Sequence, residues 1–270
     1  LYAAFVALAD RLLVPGGQVV AILPRSLCNG PYFRPFREVL LSETTLLRIH
    51  VFESRKDAFK EDRVLQENVI VHATKSAKSP RHIIISSSRA GSGDIQERRL
   101  KYTEVVRETN GDRFIHLPTG DNDDAISRWM ATLPETLQSL GLVVSTGRVV
   151  DFRAREHLIG DPKHGGAPLI YPCHFLDGQI RWPKLESRKP NAITSNAATE
   201  SLLVPRGYYV VTKRFSSKEE RRRLVAAVYD PDLVQAPLVG FENHLNYFHR
   251  GGCGLSKDDA YGLAAFLNSE

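Results

Sequence analysis

The feature that most limits what this chain can fold into is a three-part run near its start. An amphipathic stretch is broken by Pro-Gly-Gly and followed at once by an unbroken apolar run. Phe5, Leu8, Leu12 and Leu13 recur at the three-to-four spacing of one buried helix face, which predicts a helix over Tyr2 to Val14. Pro15 cannot continue a helix and Gly16-Gly17 tolerates a tight reversal, so the helix stops there. Val19 to Leu23 is apolar throughout, the pattern of a parallel strand buried on both faces. Residues 32–41 read as helix again, and 46–52, 68–73 and 83–85 as strands. Helix and strand in alternation predict an α/β layer with a mostly parallel sheet.

Beyond residue 86 the chain is more polar, and AGSGD, TNGD and PTGDNDD mark turns in a connecting region with an extra strand or two. Residues 121–141 read as a helical connector, interrupted near Pro134. From about Leu142 the pattern changes to short β-like runs, LVVST, PLIYP, YYVVT, RRLVAAVYD and PLVGF, separated by turn residues. A last helix is predicted over Lys257 to Leu267. The expected organisation is α/β over 1–120, a connector over 121–141 and a β-rich second domain over 142–270.

A length of 270 residues allows one large domain or two ordinary ones. No apolar run is long enough to span a bilayer. Cys28, Cys173 and Cys253 lie far apart without CxxC pairing, which argues against a disulfide scaffold or zinc site and fits a reducing cytoplasm. A net charge of +5 admits an anionic partner without demanding one. GxGxxG and GxxxxGK[ST] are absent, and the glycines of GGQVVAILP precede a strand, the wrong end for a phosphate loop. The residues alone therefore describe a Rossmann-like piece with no self-evident active site.

One resemblance is more specific. LYAAFVALADRLLVPGGQVVAILP resembles the segment that follows the Asn-Pro-Pro-Tyr motif in γ-class adenine-N6 DNA methyltransferases, the TaqI-like enzymes of restriction–modification systems. PRSLCNGPYFRPFREVLL and IHVFESRKDAF…VLQENVIV resemble still more closely the modification methylases of the PstI and BsuBI type. The likeness covers Leu1 to about Thr74 and continues more loosely through the β-rich half. It implies the C-terminal part of a Rossmann-like methyltransferase sheet, followed by a β-rich (α+β) DNA target-recognition domain. The implied activity is methyl transfer from S-adenosylmethionine to adenine N6 in double-stranded DNA, with the base flipped out. The implied setting is the bacterial cytoplasm, at the nucleoid, beside a cognate restriction endonuclease. Phe5 matches the family's phenylalanine that lies against the cofactor's adenine ring, a role that needs a flat apolar face. On the residues alone it reads instead as a core phenylalanine on a buried helix face. Phe59, set among charged residues, matches the aromatic that stacks on the flipped base; the other reading is a loop anchor tucked into the core.

The second half supplies the candidate DNA contacts. RGYYVVTKRFSSKEERRR places Arg206, Lys213, Arg214, Ser216, Ser217 and Lys218 about a strand end and turn, where cations and hydroxyls make a phosphate clamp. A merely solvated surface is the alternative. STGRVVDFRAR adds Arg148, and GFENHLNYFHR adds Asn243 and His244. Asn and Arg can read base edges bidentately, whereas a lone His is commonly structural. Arg25, Asn29, Tyr32, Arg34 and Arg37 follow the first strand's carboxyl end, the ligand edge of open α/β sheets; for Arg37 a solvated helix start is the competing reading. Asn-Pro-Pro-Tyr, the Gly-rich cofactor loop and the acidic ribose-binding strand, which the family carries upstream of this passage, do not occur in these residues. The chain is thus expected to supply base-stacking and recognition parts, to be inactive alone and to partner an N-terminal methylase half. The alternative is a non-catalytic recognition subunit beside a separate methylase core.

Overall fold

The computed structural model describes residues 2–52, 67–76, 78, 80–88, 94–107, 112–216, 222 and 224–269. Two compact units divide the chain, Leu1–Leu133 and Pro134–Glu270. The stretch read as one helical connector is split between them: its first half is a helix of the first unit, and residues 134–141 form turns of the second.

In the first unit, α1 (Tyr2–Leu12) leads through the turn at Gly16 into β1 (Gln18–Pro24). Gly16 has φ +80°, a conformation that costs glycine nothing. Then follow α2 (Arg34–Glu43), β2 (Thr44–Phe52), β3 (Asn68–Lys75), β4 (His82–Ser88), β5 (Ile95–Lys101), α3 (Tyr102–Val105), β6 (Val106–Arg107), β7 (Phe114–Ile115) and α4 (Asp121–Ala131). The sheet order is β1-β3-β2-β4-β5, and among the described residues only β2 and β4 pair in parallel within it. The expected mostly parallel sheet is therefore corrected. As a crossover helix should, α2 returns β2 in the same direction as β1. The two strands stand one place apart, however, and β3 fills the gap running the other way.

The expected burial is also reversed at the start. Phe5, Leu8 and Leu12 are exposed, whereas Tyr2, Ala3 and Val6 pack on the core and Asp10 is fully buried. Apolar residues run round much of α1, so spacing could not say which stripe the sheet would take. On β1, Leu23 is buried but Val20 and Ile22 are more than half exposed, so this strand is not covered on both faces. Arg37 meets neither phosphate nor solvent in this unit. Its guanidinium is fully buried, donates to the carbonyls of Leu27, Gly30 and Asp112 at 2.9–3.0 Å, and lies over the Phe114 ring. It ties the turn after β1 to the segment before β7, satisfying carbonyls that would otherwise be orphaned.

The second unit contains β8 (Val143–Thr146), β9 (Leu158–Ile159), β10 (Ala167–Ile170), β11 (Phe175–Leu176), β12 (Gln179–Ile180), β13 (Ala192–Ile193), β14 (Leu203–Pro205), β15 (Tyr209–Lys213), β16 (Ala226–Tyr229), β17 (Leu238–Phe241), β18 (Leu245–His249) and α5 (Lys257–Leu267). They form a five-stranded sheet, β14-β17-β10-β13-β9, and a six-stranded sheet, β11-β12-β16-β15-β18-β8. Side chains alternate across β15 as the period of a strand requires. Tyr209 and Val211 enter an aromatic core with Tyr229, Phe241 and Tyr247, while Val210 faces Ala260 and Ala264 of α5. The Ser256 hydroxyl caps α5 by accepting from the Asp259 N–H, with Asp258 and Asp259 in its first turn. Among the described residues no helix is long and apolar enough to cross a membrane.

Candidate nucleic-acid interface

Two distant segments singled out from the sequence meet at one corner of the second unit. β15 and β18 pair antiparallel with Lys213 opposite Leu245, which sets the end of β15 beside the turn between β17 and β18. The Arg214 N–H donates to the His244 carbonyl at 2.8 Å, and its Nη1 to the Asn243 carbonyl at 3.3 Å. Its guanidinium lies over the Phe215 ring, and that ring meets His244 edge-on at 5.7 Å between centroids. Lys213, Arg214, Asn243 and His244 are thus one cluster, with Ser216 next along the chain.

A cleft of about 430 Å³ opens at this corner, lined by Tyr171, Pro172, Cys173, Lys189, Lys213, Phe215, Glu242 and His244. Parallel pairing of β10 with β17 brings Tyr171 alongside Glu242. The Glu242 carboxylate is 1% exposed and accepts from His244 twice, from Nδ1 at 2.6 Å and from the backbone N–H at 3.0 Å. The Tyr171 hydroxyl donates to Asp151 at 2.7 Å, and Lys189 Nζ donates to the other oxygen of Asp151 at 2.8 Å while lying over the Tyr171 ring. Desolvation pushes the Tyr171 phenol above its ordinary pKa, so it stays a hydrogen-bond donor. Beneath it, buried His174 accepts from the Tyr171 N–H through Nδ1 and bonds Asn191 through Nε2. Burial lowers the His174 pKa, which keeps the ring neutral as this pairing requires.

The other candidates lie elsewhere. Arg206, before the opposite end of β15, is paired with Asp232 at 3.0 Å. Arg148 is exposed and donates to the Ser201 carbonyl. Phe5 is 65% exposed on α1, with an open apolar ring of the kind a purine can cover. Phe59, Ser217 and Lys218 lie outside the described residues. Near the first strand's end, Tyr32 is 86% exposed, Arg25 faces Glu67 and Arg34 pairs with Glu38. Sequence reasoning passed over Tyr171, Lys189, Phe215 and Glu242, which reach the cleft only through non-local strand pairing. Phe215 alone carried a local signal, as an apolar residue directly after Lys213-Arg214. Among the described residues, no three His, Cys, Asp or Glu side chains are grouped so as to hold a metal ion.

Comparison with known proteins adds to this geometry. Over its whole length the chain is 47% identical to the Type II methyltransferase M.PstI of Providencia stuartii and 46% identical to the Type II methyltransferase M.BsuBI of Bacillus subtilis. The chain is thus similar along its whole length to two type II methyltransferases. The family resemblance seen in its opening segments is thereby borne out and extends to the β-rich unit. The chain spans about half, 53%, of the length of each relative. No family model matches it. Among solved structures, it is similar to the type IIL restriction-modification enzyme MmeI in complex with DNA, at 12% identity and a TM-score of 0.44, covering 91% of this chain and 34% of that one. Its likeness to the type IIG restriction endonuclease BpuSI covers 99% of this chain and 38% of that one, at 13% identity and a TM-score of 0.36.

Proposed function

We propose that this chain is part of a site-specific DNA methyltransferase of a restriction–modification system. The whole enzyme moves a methyl group from S-adenosylmethionine to adenine N6 in duplex DNA. The single observation that carries this reading is identity of 46–47% to two type II methyltransferases along the entire chain. In this reading the second unit recognises DNA through the Lys213–His244 corner. Its aromatic and cationic side chains suit a nucleic acid, which offers bases to stack on and phosphates to neutralise. S-adenosylmethionine supplies the methyl group when bound. Phe5 offers one flat wall for its adenine, and Phe59 offers a stacking face for the flipped target base.

No Asn-Pro-Pro-Tyr occurs in this chain, so the groups that accept from the target amine come from elsewhere. The exposed Leu8 and Leu12, with Val20 and Ile22 on β1, form the surface on which the rest of the catalytic domain packs in this reading. The same surface would serve if that core were a separate polypeptide.

A methyl-transfer assay on mixed duplex DNA tests the proposal. The chain is assayed alone and with the amino-terminal half of a PstI-type relative supplied as a second polypeptide. Incorporation is expected only from the pair, with N6-methyladenine recovered on digestion to nucleosides. Turnover by the chain alone would overturn the division of labour, and a methylated cytosine would overturn the assignment of the base.

A further inference from the structure

We propose that Phe152 is a wedge that enters one base step of the bound duplex, while Arg153 and Arg155 take the adjacent phosphates. The inference rests on the reading of the second unit as the DNA-recognition part.

Three observations carry it. The first is the ring itself. Phe152 is 76% exposed, in the turn between β8 and β9. Covering so open an apolar ring is favourable, and a base offers it a flat face to stack on. The second is the rigidity of the turn that carries the ring. The Arg153 and Ala154 N–H groups both donate to the Val150 carbonyl at 3.0 Å, and Ala154 is buried. The Asp151 carboxylate accepts from the Tyr171 hydroxyl and from Lys189, so the residue before the ring is held from the cleft. Val149 is fully buried and joins the turn to the candidate corner. Its N–H donates to the Phe241 carbonyl at 3.1 Å, and its carbonyl accepts from the Asn243 N–H at 2.9 Å. A turn already ordered loses little freedom on binding, so the contact energy can go into separating bases. The third is the charge around the ring. Arg153 and Arg155 are exposed, and among the described residues neither is ion-paired. The acids of this segment face other partners, Asp151 with Lys189 at 2.8 Å and Glu156 with His157 at 3.6 Å. Arg153 lies over the Phe152 ring, 5.6 Å from its centroid. An apolar protein surface would leave both guanidiniums without partners, whereas a duplex supplies stacked bases and phosphates together. On insertion Arg153 exchanges its contact with the ring for a charge-assisted hydrogen bond to phosphate. An apolar wedge that partly unstacks a step also kinks the duplex.

The test uses a duplex enriched by the full chain from a randomised library. It carries 2-aminopurine at each position in turn and a dye pair at its ends. The wild-type chain is expected to brighten the two bases flanking one step and to shorten the end-to-end distance. F152A should lose both signals and bind roughly tenfold more weakly, with the salt dependence unchanged. F152W should restore them. R153A should keep the brightened step and flatten the slope of log K against log salt by about one. The wild-type arm needs no variant to fold: a chain that brightens no step, or one base without a bend, overturns the proposal. Retention of both signals by F152A overturns it as well. Unchanged duplex binding by F152A, with weaker capture of the amino-terminal half of a PstI-type relative, would overturn it and mark the ring as a protein contact. If no duplex is enriched and no salt-sensitive binding is seen, it is the DNA-recognition reading itself that fails.

Discussion

Asp10 is fully buried on α1, and neither of its carboxylate oxygens has a hydrogen-bond partner. Lys75 lies close, but its Nζ donates to the Asp10 backbone carbonyl and to Glu43 instead. Desolvation raises the Asp10 pKa to about 6, against the pull of Lys75. An acid whose pKa is higher folded than unfolded makes folding less favourable as pH rises through that interval. The cost is absent below about pH 4 and complete above about pH 6, and amounts to about 3 kcal/mol. Asp10→Asn should therefore remove this step. Denaturant titrations from pH 4 to pH 7.5 are expected to show the wild-type first unit losing stability relative to the variant, and parallel curves would refute the assignment. At this scale the sequence is an uneven guide. The charge of Arg37 was visible and its destination was not, because burial beneath Phe114 depends on a segment some 75 residues away.

The turn between β17 and β18 is where one element dictates the candidate site. Gly147, just after β8, donates its N–H to the Leu245 carbonyl and lies directly against the Glu242 carbonyl. A Cβ at this position would fall on that carbonyl oxygen, and both sides of the clash are backbone. Gly147→Ala must therefore push the Glu242 turn away from β8 and carry His244 with it. The expected outcome is a loss of stability of about 1–3 kcal/mol together with loss of DNA binding. Circular dichroism melts and a duplex-binding titration check both, and wild-type binding by G147A would show that the turn does not shape the site. Elements held by their own sequence were legible. The final helix spans Lys257–Leu267 as read, because cap and apolar spacing agree. Elements defined by a neighbour were not: β1 has the apolar composition of a doubly covered strand yet exposes Val20 and Ile22. The cleft was half legible for the same reason. Lys213, Arg214, Asn243 and His244 announce themselves in two charged or amide-rich turns. Glu242 and Tyr171 become neighbours only through β10–β17 pairing.

Across the whole molecule, the net charge of +5 matters less than where the cations remain unneutralised. Arg214 is exposed, and among the described residues its guanidinium meets the Asn243 carbonyl and the Phe215 ring that lines the cleft. Arg206 is also exposed, but Asp232 already offsets its charge. Six residues separate it from Lys213, most of them in or beside β15, a span on the order of 20 Å. If DNA binds at the corner, Arg214 releases a counterion on binding and Arg206 does not. Each phosphate neutralised steepens the dependence of log K on log salt by about 0.9. R214A should then flatten the slope by about one, and R206A should leave it at the wild-type value. Titration of a fluorescent duplex between about 50 and 200 mM salt resolves the difference. Equal flattening by both variants would spread the interface along the whole of β15. A change with R206A alone would move it to the opposite end of the strand, away from the Glu242–His244 pair.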